Sequence, residues 1–274
     1  MSNSDLVYHY CSVDTFFSIL HNSTLRLSDI NKVNDFKERR WILEKILLEI
    51  RKQLLPQQNN KSTNFFEEFW DTVVSYDSNT YIACFSSEAD LLSQWRGYSQ
   101  DGEGLAIGFS KKVLNSLVVE HFTAFKKVVY GKSEQNEYIE TILSSLHNNS
   151  IVSAIPNFYA NERFNIPYYK NPAFKEEKEW RLVYYQNSSS FLDYNTIGEP
   201  RIKANFSKIK MRSDGTRLIS YMELDFSKIK KELIKSVVIG PKSKVSEADI
   251  KLVLYSEGYD PNNIKIKVSS CSYK

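Results

Sequence analysis

The chain opens on alternation of apolar and polar positions. Leu6-Val-Tyr-His-Tyr-Cys11 predicts a β-strand, and Ser12 stands where an N-cap would start a helix running to about His21. Between Thr24 and Ser28, Leu25 and Leu27 alternate with polar neighbours, which predicts a second short strand. Asn31-Lys-Val-Asn-Asp35 has the chemistry of a loop, and Asn34-Asp35 builds a turn of its own. The period then changes. From Phe36 to Leu55, Leu43, Ile46, Leu47, Ile50 and Leu54 fall on one helical face and charges cover the other. The polar stretch Pro56 to Asn64 joins this helix to another holding Phe65, Phe69, Trp70 and Val73, so residues about 36–76 read as an inserted helical hairpin.

Further along, Tyr81 to Phe85 predicts a strand, Ser86 or Ser87 a cap, and Leu91, Leu92 and Trp95 the helix behind it. Asp101-Gly-Glu-Gly104 is a tight turn into a strand from Leu105 to Phe109. A helix near Lys112 to Val119, a strand around Phe125 to Tyr130 and a helical stretch over about 133–164, interrupted at Pro156, come next. The strand Glu177 to Tyr185 leads into a Ser-rich, basic, irregular segment reaching Arg212. Strands near Arg217 to Leu224 and Ser236 to Ile239, a helix from Glu247 to Tyr255 and a strand from Ile264 to Ser270 close the chain. Strands and helices mix without a sustained βαβ rhythm, so the expected class is α+β, residues 1–274 forming a single domain.

Composition narrows the function classes. With 42% hydrophobic and 25% charged residues, the chain has the balance of a globular protein rather than a disordered one. A net charge of +3 is too mild to demand a nucleic acid partner. The absence of a long apolar run and of a signal-like N-terminus leads us to expect a soluble, cytoplasmic protein with no membrane contact. Cys11, Cys84 and Cys271 lack close spacing and are expected as reduced thiols within strands. His9, His21, His121 and His147 lack paired metal-ligand spacing, and no Walker loop, dinucleotide-binding glycine fingerprint or nucleophile elbow is present.

The richest chemistry lies in Phe174-Lys-Glu-Glu-Lys-Glu-Trp-Arg181. As a strand, it would put Glu177, Glu179 and Arg181 on one face, and Lys178, Trp180 and Leu182 on the other. Charged residues are poor strand formers, so two carboxylates and a guanidinium at the mouth of an apolar strand point to a wet cleft; a solvated strand end with an ion pair fits the same pattern. His9 alternates with Tyr8 and Tyr10, and either set could face a cleft. The corner Cys84-Phe-Ser-Ser87 can present hydroxyls and amides to phosphate or ribose, with Trp95 as a stacking surface and Arg96 as a cation on the next helix. The basic run Arg201, Lys203, Lys208, Lys210, Arg212 reads as a solvated surface or a phosphate contact.

Taken together and in this order, Tyr8-His9-Tyr10, Thr24-Leu-Arg-Leu-Ser28, Asn34-Asp35 with Glu38, Cys84 to Ser87, Gln94-Trp-Arg-Gly-Tyr98, Gly104 to Phe109, Phe174 to Arg181 and Val238-Ile-Gly-Pro241 resemble a mostly bacterial, uncharacterised family known as domain of unknown function 2971. That family in turn is remotely similar to ADP-ribosyltransferases, which split a compact sheet around NAD and draw key residues from three strands. The resemblance implies a mixed or antiparallel split sheet with helical insertions. It also implies NAD as the molecule consumed, and an unidentified acceptor, protein or nucleic acid, for the ADP-ribose. On the matching positions it makes Glu179 the catalytic carboxylate and Glu177 the group that orients or deprotonates the acceptor. His9 would hold a ribose, Ser86 or Ser87 would line the nucleotide site, Tyr8, Tyr10 or Trp95 would stack on a ring, and Arg181 would fix the carboxylates or meet a phosphate. His in place of Arg in the first strand, and the lack of a Ser-Thr-Ser element, depart from the arginine-modifying branch. The class of chemistry is compatible with a toxin or phage-defence role, for which no residue argues.

Two alternatives stand beside this reading. A metal-dependent nuclease would use Glu176 and Lys178 with an upstream acid such as Asp35 or Asp90. A non-catalytic ligand sensor or protein-interaction domain would use the same polar surface without chemistry.

Overall fold

The computed structural model describes residues 5–32, 38–53, 80–118, 123–147, 165–185 and 205–272. It is α+β, with helices on both faces of one large, mixed, open sheet. The strands are β1 (Leu6–Cys11), β2 (Thr24–Asp29), β3 (Thr80–Ser86), β4 (Leu105–Ser110), β5 (Thr123–Lys127), β6 (Glu179–Tyr185), β7 (Asn205–Phe206), β8 (Lys210–Ser213), β9 (Leu218–Asp225), β10 (Ile234–Ile239) and β11 (Lys265–Val268). The helices are α1 (Val13–Asn22), α2 (Glu38–Gln53), α3 (Leu92–Tyr98), α4 (Lys111–Asn115), α5 (Lys132–His147), α6 (Lys230–Leu233) and α7 (Glu247–Ser256).

The strand path runs β11-β10-β4-β1-β3-β2-β9-β7, with β6 on β3, β5 on β6 and β8 on β9. Every pairing between these strands is antiparallel except β10 with β11. The decisive feature is β3. One of its edges pairs with β6 along its full length, from Thr80↔Tyr185 to Ser86↔Glu179. The other edge is shared: β1 meets it at Tyr8↔Ser86, and β2 meets it at Ser28↔Ile82 and Asp29↔Tyr81. A strand has only two hydrogen-bonding edges, so β1 and β2 must part between these points, and the sheet forks there.

Alternation sorts the side chains. Val7, Ile107, Phe109, Leu182, Leu224 and Val237 face the main core, closed by Phe16 and Leu20 of α1, Leu114 of α4, Leu233 of α6 and Leu254 of α7. On the opposite face Tyr8, Tyr10, Ala106 and Val238 pack with Trp95 of α3. Beside them, Ile82, Val183 and Tyr185 pack with Tyr168. A separate apolar cluster joins α2 (Ile42, Ile46, Ile50) to α5 (Ile139, Ile142, Leu143), which accounts for the apolar stripe expected on the first of these segments. Ser12 caps α1 as expected, its hydroxyl accepting from the Thr15 amide at 3.1 Å.

Several boundaries differ from expectation. The strand expected from Glu177 begins at Glu179, because Pro172–Glu177 coils as a 3₁₀ segment and Lys178 reverses the chain at φ 48°. That left-handed conformation costs a non-glycine residue about 1–2 kcal/mol. Ser86 and Ser87 do not cap α3, which starts behind Leu91 without a side-chain cap. The helix expected to reach Val119 ends at Asn115, and the strand expected at Phe125 to Tyr130 is Thr123–Lys127. Cys271 lies beyond β11 rather than in a strand. The hairpin β8–β9 occupies part of the segment expected to be irregular. The partner helix with Phe65, Phe69, Trp70 and Val73, the break at Pro156, and Asn34-Asp35 lie outside the described residues. No helix among the described residues is long and apolar enough to cross a membrane.

Candidate functional site

A cleft of about 580 Å³ opens at the fork, within the roughly 300–1,000 Å³ typical of small-molecule sites. Its walls come from His9 on β1, Arg26 on β2, Cys84 on β3, Tyr98 on α3, and Glu177 and Glu179 around the start of β6. Lys170, Phe174, Lys32 and Arg212 also line it.

His9 sits where β1 leaves β3. The Cys84 carbonyl on that edge accepts from His9 Nδ1 at 3.0 Å. A carbonyl only accepts, so Nδ1 carries the proton and Nε2 is left as an acceptor for the cleft. Burial lowers the imidazole pKa, opposed by the Cys84 hydrogen bond, and the ring is neutral at pH 7. Edge-on packing against Phe85 at 5.9 Å fixes its plane.

Glu179 is the first residue of β6 and is 5% exposed. Arg181, two residues along the same face, donates from Nε to Oε1 at 2.7 Å and from Nη2 to Oε2 at 2.9 Å. Lys170 Nζ reaches Oε2 at 3.2 Å and Glu177 Oε2 at 2.5 Å. Arg181 also donates to the Pro167 carbonyl at 2.6 Å. Burial pushes the Glu179 pKa up, but Arg181 and Lys170 outweigh it and bring it down to about 2. Two carboxylates with one guanidinium would leave a buried negative charge, and Lys170 neutralises it. Burial and neighbouring carboxylates raise the phenol pKa of Tyr98 and Tyr130.

Glu177 joins this group by a route other than strand alternation. The left-handed turn at Lys178 folds its carboxylate back beside Glu179, with Lys170 bridging the two. Ser86 pins the turn: its hydroxyl donates to the Glu177 carbonyl at 2.7 Å and accepts from the Glu88 amide at 3.2 Å. Tyr98 donates to Glu177 Oε1 at 3.4 Å.

The fork therefore brings together His9, Glu177 and Glu179, with Tyr8 and Tyr10 in the same walls and Arg181 directly behind the carboxylate. Other expected residues serve differently. Tyr10 donates to the Glu88 carbonyl at 2.8 Å and accepts from the Leu91 amide at 3.0 Å, so its hydroxyl shapes the Ser86–Leu91 corner. Ser87 ties the same corner down through its amide, which donates to the Lys178 carbonyl at 3.0 Å. Trp95 is fully buried, edge-on to Tyr10 at 4.7 Å and donating to Asp90 at 2.7 Å, and offers no face for stacking. Arg96 is exposed on α3 and is not among the cleft-lining residues.

The described residues of the nuclease alternative are dispersed, and Asp35 lies outside the described residues. Lys178 lies in the turn rather than on a face with Trp180, and pairs with Glu88 at 2.8 Å on the surface. Glu176 is exposed, and Asp90 binds Trp95, Ser269 and Ser270. Among the described residues, no group of three or more His, Cys, Asp or Glu is placed to hold a metal ion.

Sequence reasoning missed Lys170 and, apart from Arg212, the cationic wall. Lys170 stands alone beside Asn171-Pro172, and only the charge imbalance of Glu177, Glu179 and Arg181 hints at a further cation. Arg26 lies 4.4 Å over the Tyr221 ring, and Arg212 has a buried Nε with no hydrogen-bond partner. Of the basic run, Lys210 pairs with Glu223 at 2.6 Å, whereas Arg212 turns to the cleft.

Fold and cleft together define an α+β protein with a charged, ligand-sized cavity at a fork in its sheet. Residues 94–182, from α3 into β6, match the model of a family described as Protein of unknown function (DUF2971). The match bears out the family expected from the motifs, and its span carries Tyr98, Lys170, Phe174, Glu177 and Glu179 of the cleft. No curated protein and no solved structure matches the chain.

Proposed function

We propose that the cleft takes NAD, breaks its nicotinamide–ribose bond and passes ADP-ribose to an acceptor. The observation that carries this reading is that His9 and Glu179, on separate strands, line one cavity where the sheet forks. The ADP-ribosyltransferase resemblance assigns roles to these same two positions and places NAD in a split sheet.

The residues suit each step. The glycosidic bond breaks with its electron pair leaving on the nicotinamide nitrogen, and positive charge develops at the ribose carbon. An ionised Glu179, held rigid by Arg181 and Lys170, stabilises that charge without reorganising. The acceptor lone pair forms the new bond, and its proton passes to Glu177, whose side chain is 13% exposed against 6% for Glu179. Arg26, Lys32 and Arg212 supply cations for a diphosphate, and the unpartnered Arg212 Nε is a donor in waiting.

One observation favours a second reading. Both oxygens of Glu179 are already engaged by Arg181 and Lys170, which suits a cleft that binds a nucleotide without cleaving it. Titration of the full chain with NAD tests occupancy for both. The expected result is a rise in melting temperature, with affinity weakened roughly tenfold by Arg212→Gln, the size of one charge-assisted hydrogen bond. No change with millimolar NAD would overturn both.

A further inference from the structure

We infer that a second cleft, on the β10–β11 side of the sheet, binds the phosphate groups of an anionic ligand. The inference does not depend on what occupies the first cleft.

The cavity measures about 590 Å³. Its floor is a row of residues in register across four strands: Tyr8 opposite Gly108, Gly108 opposite Ser236, Ser236 opposite Lys265. Gly108 makes the floor possible. A Cβ there would stand 2.1 Å from Ser236 Oγ and 3.0 Å from Tyr8 Cε1, so the missing side chain lets the tyrosine ring lie down toward the serine. In the next row Val238 stands opposite Lys267, so Lys265 and Lys267 rise on the same face as Ser236.

Lys231 and Lys235, at the junction of α6 with β10, complete a set of four lysines around one hollow. Some lysines elsewhere on the surface have carboxylate partners, as in Lys178–Glu88, Lys210–Glu223, Lys242–Asp101 and Lys251–Glu247. None of the four makes such a pair among the described residues; Lys235 donates only to the Lys231 carbonyl, at 2.9 Å. The one carboxylate in the lining, Asp260, is committed to its own turn, accepting from the Asn262 amide at 3.0 Å and from Asn263 Nδ2 at 2.7 Å. Ser236 is 3% exposed, and its polar neighbour in the floor is the Tyr8 hydroxyl, with which its Oγ makes no hydrogen bond of ordinary distance and angle. Four lysines against the single carboxylate of Asp260 leave the hollow net positive, and an anion relieves their mutual repulsion. Lysine ammonium groups act as point charges for phosphate without demanding one geometry, so phosphate is the chemistry recognised, whether from a small phosphorylated molecule or from a nucleic acid backbone.

The test uses the full chain, with tripolyphosphate and a labelled oligothymidylate as separate probes over a range of salt. Lys265→Gln with Lys267→Gln is compared with Lys112→Gln plus Lys244→Gln, a pair of exposed lysines outside the cleft that changes net charge equally. The expected result is that at least one probe binds and that the cleft pair weakens it roughly tenfold or more, lowering the log–log salt slope by about one for each lysine contacting a phosphate. The surface pair should change little, and NAD titration should be unaffected by either. Tripolyphosphate binding alone identifies a small ligand as the source, and oligothymidylate binding a nucleic acid; either supports the inference. Binding of neither probe, or equal losses from both lysine pairs, would overturn it.

Discussion

Arg181 grips Glu179 through two parallel hydrogen bonds, 2.7 Å from Nε to Oε1 and 2.9 Å from Nη2 to Oε2, with both side chains almost wholly out of water. The pair occupies neighbouring same-face positions of β6, so strand geometry alone brings the two together. Lys170 then arrives from outside the strand and ties Glu179 to Glu177.

Lys170 is expected to be the most sensitive member of this group. Replacing it with Met leaves two carboxylates against one guanidinium in a buried site, and removal of one partner from such a network costs about 3–5 kcal/mol. Urea unfolding of Lys170→Met should show that loss. A change within experimental error would mean that Lys170 does not balance the carboxylates.

The same network sets an acid limit. The Glu179 pKa falls from an ordinary 4.5 to about 2 in the folded state, so its ionised form favours folding. That contribution is complete above about pH 4.5 and disappears as pH falls towards 2. Unfolding free energy measured across this window should drop more steeply in the wild-type chain than in Glu179→Gln. Parallel curves would contradict the assignment.

His9 gives a pH response of its own. Its pKa lies below the usual 6.5 because the ring is buried, so the unfolded chain takes up a proton in a range where the folded ring stays neutral. Stability from this source is full above 6.5 and declines below it. Nitrogen NMR of the imidazole should show a proton on Nδ1 at neutral pH and a midpoint below 6.5. A proton on Nε2 instead would remove the hydrogen bond to Cys84.

Much of the fold was legible in the sequence because local pattern and final environment agree. β1, β2, β3 and β4 are alternating or wholly apolar runs bounded by turn residues, and α2 carries a clear apolar stripe. The site was legible in part. Alternation correctly paired Glu179 with Arg181, but it also put Glu177 in the strand, where a left-handed Lys178 interrupts it. Backbone reversals at non-glycine residues leave little trace in composition. Trp95 and Ser86 had the chemistry of ligand contacts, yet burial behind Tyr10 and a bond to the Glu177 carbonyl use them for structure. Lys170 and Arg26 were invisible as site residues, and Arg212 was legible only as one cation of a basic run, because each reaches the cleft from a different part of the chain and only the fork in the sheet gathers them.

The claim that the cleft breaks NAD is tested most directly by nicotinamide release from NAD by the full chain, compared with Glu177→Gln and Glu179→Gln at matched folded fractions. The expected result is slow release by the wild-type chain, loss of it in Glu179→Gln, and retained release in Glu177→Gln with less transfer to an added acceptor. NAD that binds but stays intact in all three would contradict cleavage and leave a nucleotide-binding cleft, and equal release by all three would remove Glu179 from the chemistry.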